Sequence, residues 1–257
     1  MKAKEQYCAF RTIVDKEVIR ILRIWMQTLL PSAITMTLYF LIFGKFIGSQ
    51  VRDINGFSYM EFIVPGIIML SVITNSFMNV VSSFFSTKFM RSVEEILVSP
   101  TPNWIILIGY AAGGIFRGLL VGLIVLLVSL FFTHINIYNF GIIIIFILLT
   151  SIVFSLGGLL NAIFAKRFDD ISIIPTFVLM PLTYLGGVFY SISVLPAFWQ
   201  GISLLNPILY MVNGFRYGFL GISDINIWIG FGMLVIFAAI LFYINLHLMK
   251  KGTGLKT

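Results

Sequence analysis

Long apolar runs alternate with short polar interruptions along the whole chain. Six runs reach the roughly 20 apolar residues that a helix needs to cross a bilayer, at about 26–48, 59–87, 104–132, 139–164, 171–191 and 226–249. They are too long for barrel strands and lack strict alternation. The pattern therefore predicts membrane helices, whose backbone groups pair internally. Before the first run, Phe10, Val14, Val18, Ile21, Leu22 and Trp25 recur at helical spacing, with Arg11, Asp15, Lys16, Arg20 and Arg23 on the other face. This predicts an amphipathic helix within residues 1–25, lying in the cytosolic interface. A soluble helix packed on a loop is the alternative, but Trp25 and the flanking bases suit the headgroup layer.

Residues 192–225 break the rhythm. Phe198, Trp199, Leu204, Leu205 and Ile208 make the stretch too apolar for a plain exterior loop, while Pro196, Gly201, Pro207 and Gly214 make it too broken to span. The break is expected to begin at Gly186 and Gly187 of the fifth run, where the missing side chains allow a bend, and the segment to re-enter the membrane and turn back, as re-entrant helices between spans five and six. The chain reads as one domain over 1–257, all-α, with six transmembrane helices and a compact cytosolic segment at 88–103.

Composition agrees. Charged residues make up 11% of the 257 residues and hydrophobic ones 59%. A soluble domain carries about a quarter charged residues. The net charge of +7 is not read as a nucleic-acid footprint, because the bases sit at the edges of apolar runs. Thirteen Lys and Arg fall in the N-terminal segment, the second-to-third and fourth-to-fifth connections and the tail; the opposite side holds three, Lys45, Arg52 and Arg216. The bias predicts both termini inside, as an even number of spans requires. Cys8 is the single cysteine, which excludes an internal disulfide and a thiolate metal site. With six bases and no apolar core in the first 23 residues, the first span is expected to serve as an uncleaved targeting signal.

No catalytic set is visible. The chain has no phosphate-loop motif, no zinc-protease motif and no nucleophile elbow, and His134 and His247 lie near opposite membrane faces. No metal site and no cofactor in this chain are expected. The second span instead carries a polar stripe of Ser71, Asn75, Asn79, Ser82 or Ser83, and Ser86 on one helix face. Lipid exposure of two amides is costly, so the face points to protein or water. It lines a substrate path or bonds neighbouring helices. Tyr184 and Phe189 join Ser71, Asn75 and Asn79 as candidate path residues. The third span carries Gly114, Gly118 and Gly122, a spacing that lets helices approach closely, within or between protomers. Arg117 lies among them as an intramembrane charge, either functional or buried against carbonyls or an acid such as Glu61. The connection from Lys88 to Pro102 is amphipathic, with Val93, Ile96 and Leu97 as an apolar ridge.

Together these residues resemble the membrane subunit of the ABC-2 type exporters, over nearly the whole chain. Leu179, Leu182, Leu185, Gly186 and Val188, then Leu195-Pro196, then Pro207-Ile208, Tyr210 and Arg216 match the pattern around that family's last two spans. Gly186-Gly187-Val188-Phe189-Tyr190 is similar to the group of YadH-type permeases and the lipo-oligosaccharide exporter permease of rhizobia. The run Arg91, Glu94, Glu95, Leu97 and Pro100 looks like the segment that forms the family's coupling helix against the ATPase. The resemblance implies a homodimer of six-span permeases in the bacterial inner membrane, on two soluble ATPase subunits that bind the ATP and Mg²⁺. It implies export of an amphipathic substrate, lipid, glycolipid or polysaccharide, or drug-like, and leaves the choice open. A non-transporting membrane scaffold that recruits a peripheral partner is the alternative.

Overall fold

The computed structural model describes residues 2–51, 53–54 and 56–254, with every side chain among them except that of Leu97. Arg52 and Lys256, counted in the charge bias, and the Leu97 side chain lie outside the described residues.

All regular elements described are helices. Helix α1 covers Ala3–Arg23. Five helices are long and apolar enough to cross a membrane: α2 (Trp25–Gln50), α3 (Tyr59–Phe89), α5 (Asn103–Ser129), α6 (Phe140–Phe164) and α10 (Ile227–Lys251). Between them lie α4 (Ser92–Val98), α7 (Asp170–Tyr184), α8 (Ala197–Leu204) and α9 (Pro207–Leu220).

The boundaries follow from caps. Ser58 Oγ accepts from Glu61 N and Glu61 Oε2 accepts from Ser58 N at 2.9 Å, a reciprocal box that opens α3. Asn139, Asn206 and Asn226 open α6, α9 and α10 in the same manner, each accepting from a backbone N–H two or three residues on. Gly221 and Gly252, with φ of 71° and 68°, close α9 and α10.

Helix α3 is the axis of the molecule. It is the most buried span and packs against α5, α6 and α9. Its length of about 46 Å exceeds a hydrocarbon core of about 30 Å. The glycine stripe of α5 sets these contacts. A Cβ at Gly114 would strike Val80 and Ser155, and one at Gly122 would lie 2.8 Å from Val72 Cγ2. The stripe therefore packs α5 within the chain, onto α3 and α6.

The fifth apolar run differs from expectation. A span over 171–191 was expected; α7 ends at Tyr184, is about 22 Å long and contains a looser π-type stretch at Pro175–Leu179. Gly187 turns the chain at φ 67°, and residues 185–191 run on without helix. Helices α8 and α9 follow as two short rods rather than one plain loop. Helix α9 is buried against α3, α6 and α10.

Candidate functional site

Three places on this scaffold gather polar or accessible groups. The first is the polar stripe of α3. Glu17 of α1 is fully buried, with Oε1 accepting from Ser83 Oγ at 2.5 Å and Oε2 accepting from Arg20 Nη2 at 2.9 Å. The same Arg20 nitrogen donates to Asn79 Oδ1 at 2.8 Å. One turn up, Asn75 Nδ2 donates to Ser32 Oγ of α2 at 3.2 Å, and Arg117 Nε of α5 donates to Asn75 Oδ1 at 3.2 Å. One stripe thus ties α1, α2 and α5 to the central helix. Helix α1 fits here because Gly109 and Gly113 lack side chains; a Cβ at Gly113 would lie 2.7 Å from Glu17 Cβ. Ser71 is buried, its hydroxyl donating back to Ile67 O at 3.0 Å and its carbonyl accepting from Asn75 Nδ2 at 3.0 Å.

Asn75 and Asn79 are therefore placed in an interhelical network, with Arg117 beside Asn75. The pairing of Arg117 with Glu61 does not form, because Glu61 caps the far end of α3. Glu17, Arg20 and Ser32 were not singled out as site residues. A signal for Glu17 existed: it stands at helical spacing between Ile13 and Ile21 on the apolar face of α1.

The second place is the corner after α7. Arg216 is 1% exposed and lies over the Phe62 ring at 3.9 Å. Its Nη2 donates to Gly187 O at 2.6 Å and its Nε to Phe62 O at 3.3 Å. Asp224 completes the corner, accepting from Ser191 Oγ at 2.7 Å and Ile192 N at 3.2 Å. Arg216 was counted among exterior loop bases; it is instead a buried clamp that joins a carbonyl of α3 to the non-helical backbone at Gly187. Lys88, counted as a cytosolic base, is likewise buried, donating to Ile163 O at 2.8 Å and Ala165 O at 2.6 Å at the end of α6. Gly186 lies against Ile208, Pro196 and Pro207 open α8 and α9, and Tyr210 Oη donates to Leu204 O at 2.8 Å. These pattern residues build the turn.

Beside this corner runs an open groove of about 230 Å³ between α2, α3 and α7. Thr35, Met36 and Tyr39 form one wall, Leu70, Thr74 and Met78 another, and Thr176, Met180, Thr183 and Tyr184 the third. Tyr184 reaches the groove as a candidate path residue. Phe189 closes its neighbourhood, stacked on Phe43 with centroids 4.7 Å apart and near Tyr39 at 5.9 Å. Thr74, Met78 and Thr176 were not singled out; Thr74 lies on the face of α3 away from the amide stripe.

The third place is the end of the molecule where α1 meets α4. Arg91 precedes α4 with φ 61°, a left-handed conformation that costs a non-glycine residue roughly 1–2 kcal/mol. Glu94, Glu95 and Pro100 are exposed and Val93 is buried. Glu95 and Ile96 face Glu5, Cys8, Thr12 and Ile13 of α1 across a cleft of about 500 Å³. Asp170, at the start of α7, accepts from the backbone N–H of Lys166 and Arg167 at 2.8 and 2.9 Å. Those two bonds hold its carboxyl below the usual carboxylate range. Among the described residues no cluster of His, Cys, Asp and Glu is suited to a metal ion.

The family model described as "ABC-2 type transporter" matches residues 9–220 of this chain. The inner membrane transport permease YadH of Escherichia coli (strain K12) is 55% identical over 251 residues, 98% of each chain. Nodulation protein J of Rhizobium leguminosarum bv. viciae is 23% identical over 229 residues, 88% of each chain, and that of Sinorhizobium fredii (strain NBRC 101917 / NGR234) is 24% identical over 216 residues, 84% of this chain and 82% of the relative.

Proposed function

Because this chain belongs to the ABC-2 type transporter family, we propose that it is the inner-membrane permease subunit of an ATP-driven exporter. In this reading it works as a homodimer on two separate ATPase subunits and moves an amphipathic substrate. The groove between α2, α3 and α7 carries the proposal. It combines hydroxyls of Thr35, Thr74, Thr176 and Tyr184 with apolar walls, which suits a molecule with both characters. The outer flanks of α2 and α7 leave Ile34, Leu38, Ile42, Phe177 and Met180 exposed. A second copy laid on these flanks turns the open groove into a path along a two-fold seam.

The proposed orientation has both termini inside and six crossings, with α7 and its trailing segment as the short fifth. Helices α8 and α9 then dip back from the outer face. Burial of α9 and the Arg216 clamp support this, since irregular backbone is tolerated at membrane depth only inside protein. The cleft between α1 and α4, with Glu94 and Glu95 exposed, is where the ATPase docks. Movement of α4 reaches α3 directly, and α3 reaches α1, α2 and α5 through the amide stripe. ATP shifts the permease because the ATPase pair binds one of its two states better.

Co-expression with a soluble P-loop ATPase tests the reading. A stable complex that hydrolyses ATP in proteoliposomes is expected, with no hydrolysis by the permease alone. Failure to recover any such complex, or hydrolysis by this chain freed of other proteins, would overturn it.

A further inference from the structure

The amide stripe holds more donors than it uses. Arg20 Nε and Asn79 Nδ2 are buried without a hydrogen-bond partner, and Asn79 is fully buried. Both are donors. Arg117 is partly buried and its bond within the chain engages Nε, with its two terminal nitrogens further along the side chain. The nearby charged neighbour of Arg117 is Arg20. Glu17 is the one carboxylate in the network, and both its oxygens are taken by Ser83 and Arg20. Two guanidinium groups, held on Asn75 and Asn79 one helical turn apart, thus stand against one carboxylate, which is already bonded through each oxygen. A donor-only surplus with excess positive charge calls for a compact, acceptor-rich anion.

We propose that Arg20 and Arg117, with Asn79, bind the phosphate of an anionic amphiphile from the cytosolic leaflet. The depth fits in the orientation proposed above, on which this inference rests. Asn79 lies about 30 Å along α3 from its outer end, near the inner edge of the hydrocarbon. Side chains of a helix lean toward its N-terminus, so Arg117 of α5 reaches from the span toward the cytosolic headgroups. The elbow between α1 and α2, at Ile24, borders the site, so a bound phosphate bridges the entry helix to the third span. Guanidinium forks bind phosphate in bidentate fashion, which a lysine does not reproduce.

The test uses the full chain in nanodiscs of phosphatidylcholine, with and without phosphatidylglycerol, and in detergent with inorganic phosphate. Retained phosphatidylglycerol per chain and the lipid-dependent gain in thermal midpoint are both read. The wild type is expected to retain phosphatidylglycerol and gain stability from it. Arg117→Gln is expected to bind it about tenfold more weakly, and Arg117→Lys to recover part of the loss. Lys250→Gln, an exposed base at the end of α10, should bind as the wild type does. A lipid-dependent gain undiminished in both Arg117→Gln and Arg20→Gln would overturn the proposal. So would a loss as large in Lys250→Gln, which would make the effect one of general surface charge. An equal gain from inorganic phosphate would assign the site to a soluble anion and overturn the amphiphile. Nanodiscs expose both faces and need no ATPase, so failure here is separate from failure of the exporter reading.

Discussion

Glu17 gives the sharpest quantitative test, because it is a fully buried carboxylate through which α1 meets Ser83 of α3. Glu17→Ala removes a fully buried carboxylate that accepts from Ser83 at 2.5 Å and from Arg20 at 2.9 Å. Breaking a wholly buried ion pair from one side costs about 3–5 kcal/mol. The Arg20 side chain is 26% exposed, so water recovers part of that and the lower end applies. The expected loss is about 3 kcal/mol in the free energy that holds α1 on α3 and α5. That corresponds to amide exchange in α1 about 100-fold faster, with α6 unaffected. Glu17→Gln keeps the volume and one acceptor for Ser83, and should cost about half as much. In a cycle with Arg20→Gln, the second substitution should cost at least about 1 kcal/mol less than the first. Exchange in α1 of Glu17→Ala within about twofold of wild type, or strict additivity in the cycle, would refute the anchoring role.

Three further outcomes are expected. In a Cys8→Ser background, a cysteine at Ser49 or His134 should react with an impermeant thiol reagent from outside sealed cells, and one at Ser92 should not; labelling at position 92 contradicts the orientation. Replacing Glu94 and Glu95 together by Lys should leave membrane insertion intact and lower recovery of the ATPase complex, since reversed charge at an interface meets like charge or leaves a partner unpaired; full recovery removes α4 from the docking surface. Asp170→Asn should speed exchange of the Lys166 and Arg167 amides, which donate to its carboxylate just before α7. Because the carboxyl is held below its ordinary value, its contribution is complete above about pH 4 and is lost only as pH falls through the lowered value; a wild-type transition between pH 5 and 8 at this site would contradict the two bonds.

The spans were legible because crossing a bilayer demands long apolar runs. The fifth run was read too long. Hydropathy counts Leu185 and Val188-Phe189 as apolar but is blind to the positive φ that Gly187 adopts. Charge counting placed Arg216 and Lys88 in loops, yet both are buried on backbone carbonyls that helix ends and irregular segments leave open. Counting bases reports orientation by bias, so two interior members did not alter its sign. The amide stripe was legible as a face, while its partners were not, because Arg20 and Ser32 meet it only through tertiary packing. The glycine spacing of α5 announced close approach; that the approach is to α3 and α6 followed only from the fold. The groove escaped notice since Thr74 and Met78 carry no motif.

In the proposed reading, the groove between α2, α3 and α7 is a path whose access ATP controls. Thr74 is exposed on its wall and its hydroxyl bonds only to Leu70 O of its own helix, at 2.9 Å. The direct measurement is reaction of Thr74→Cys, in the Cys8→Ser background, with an impermeant thiol reagent applied to the outer face of sealed vesicles holding the permease and its ATPase. Labelling should be slow without nucleotide and rise when ATP is trapped on the inner side. Labelling that is absent in both conditions, or equal in both, would contradict the account.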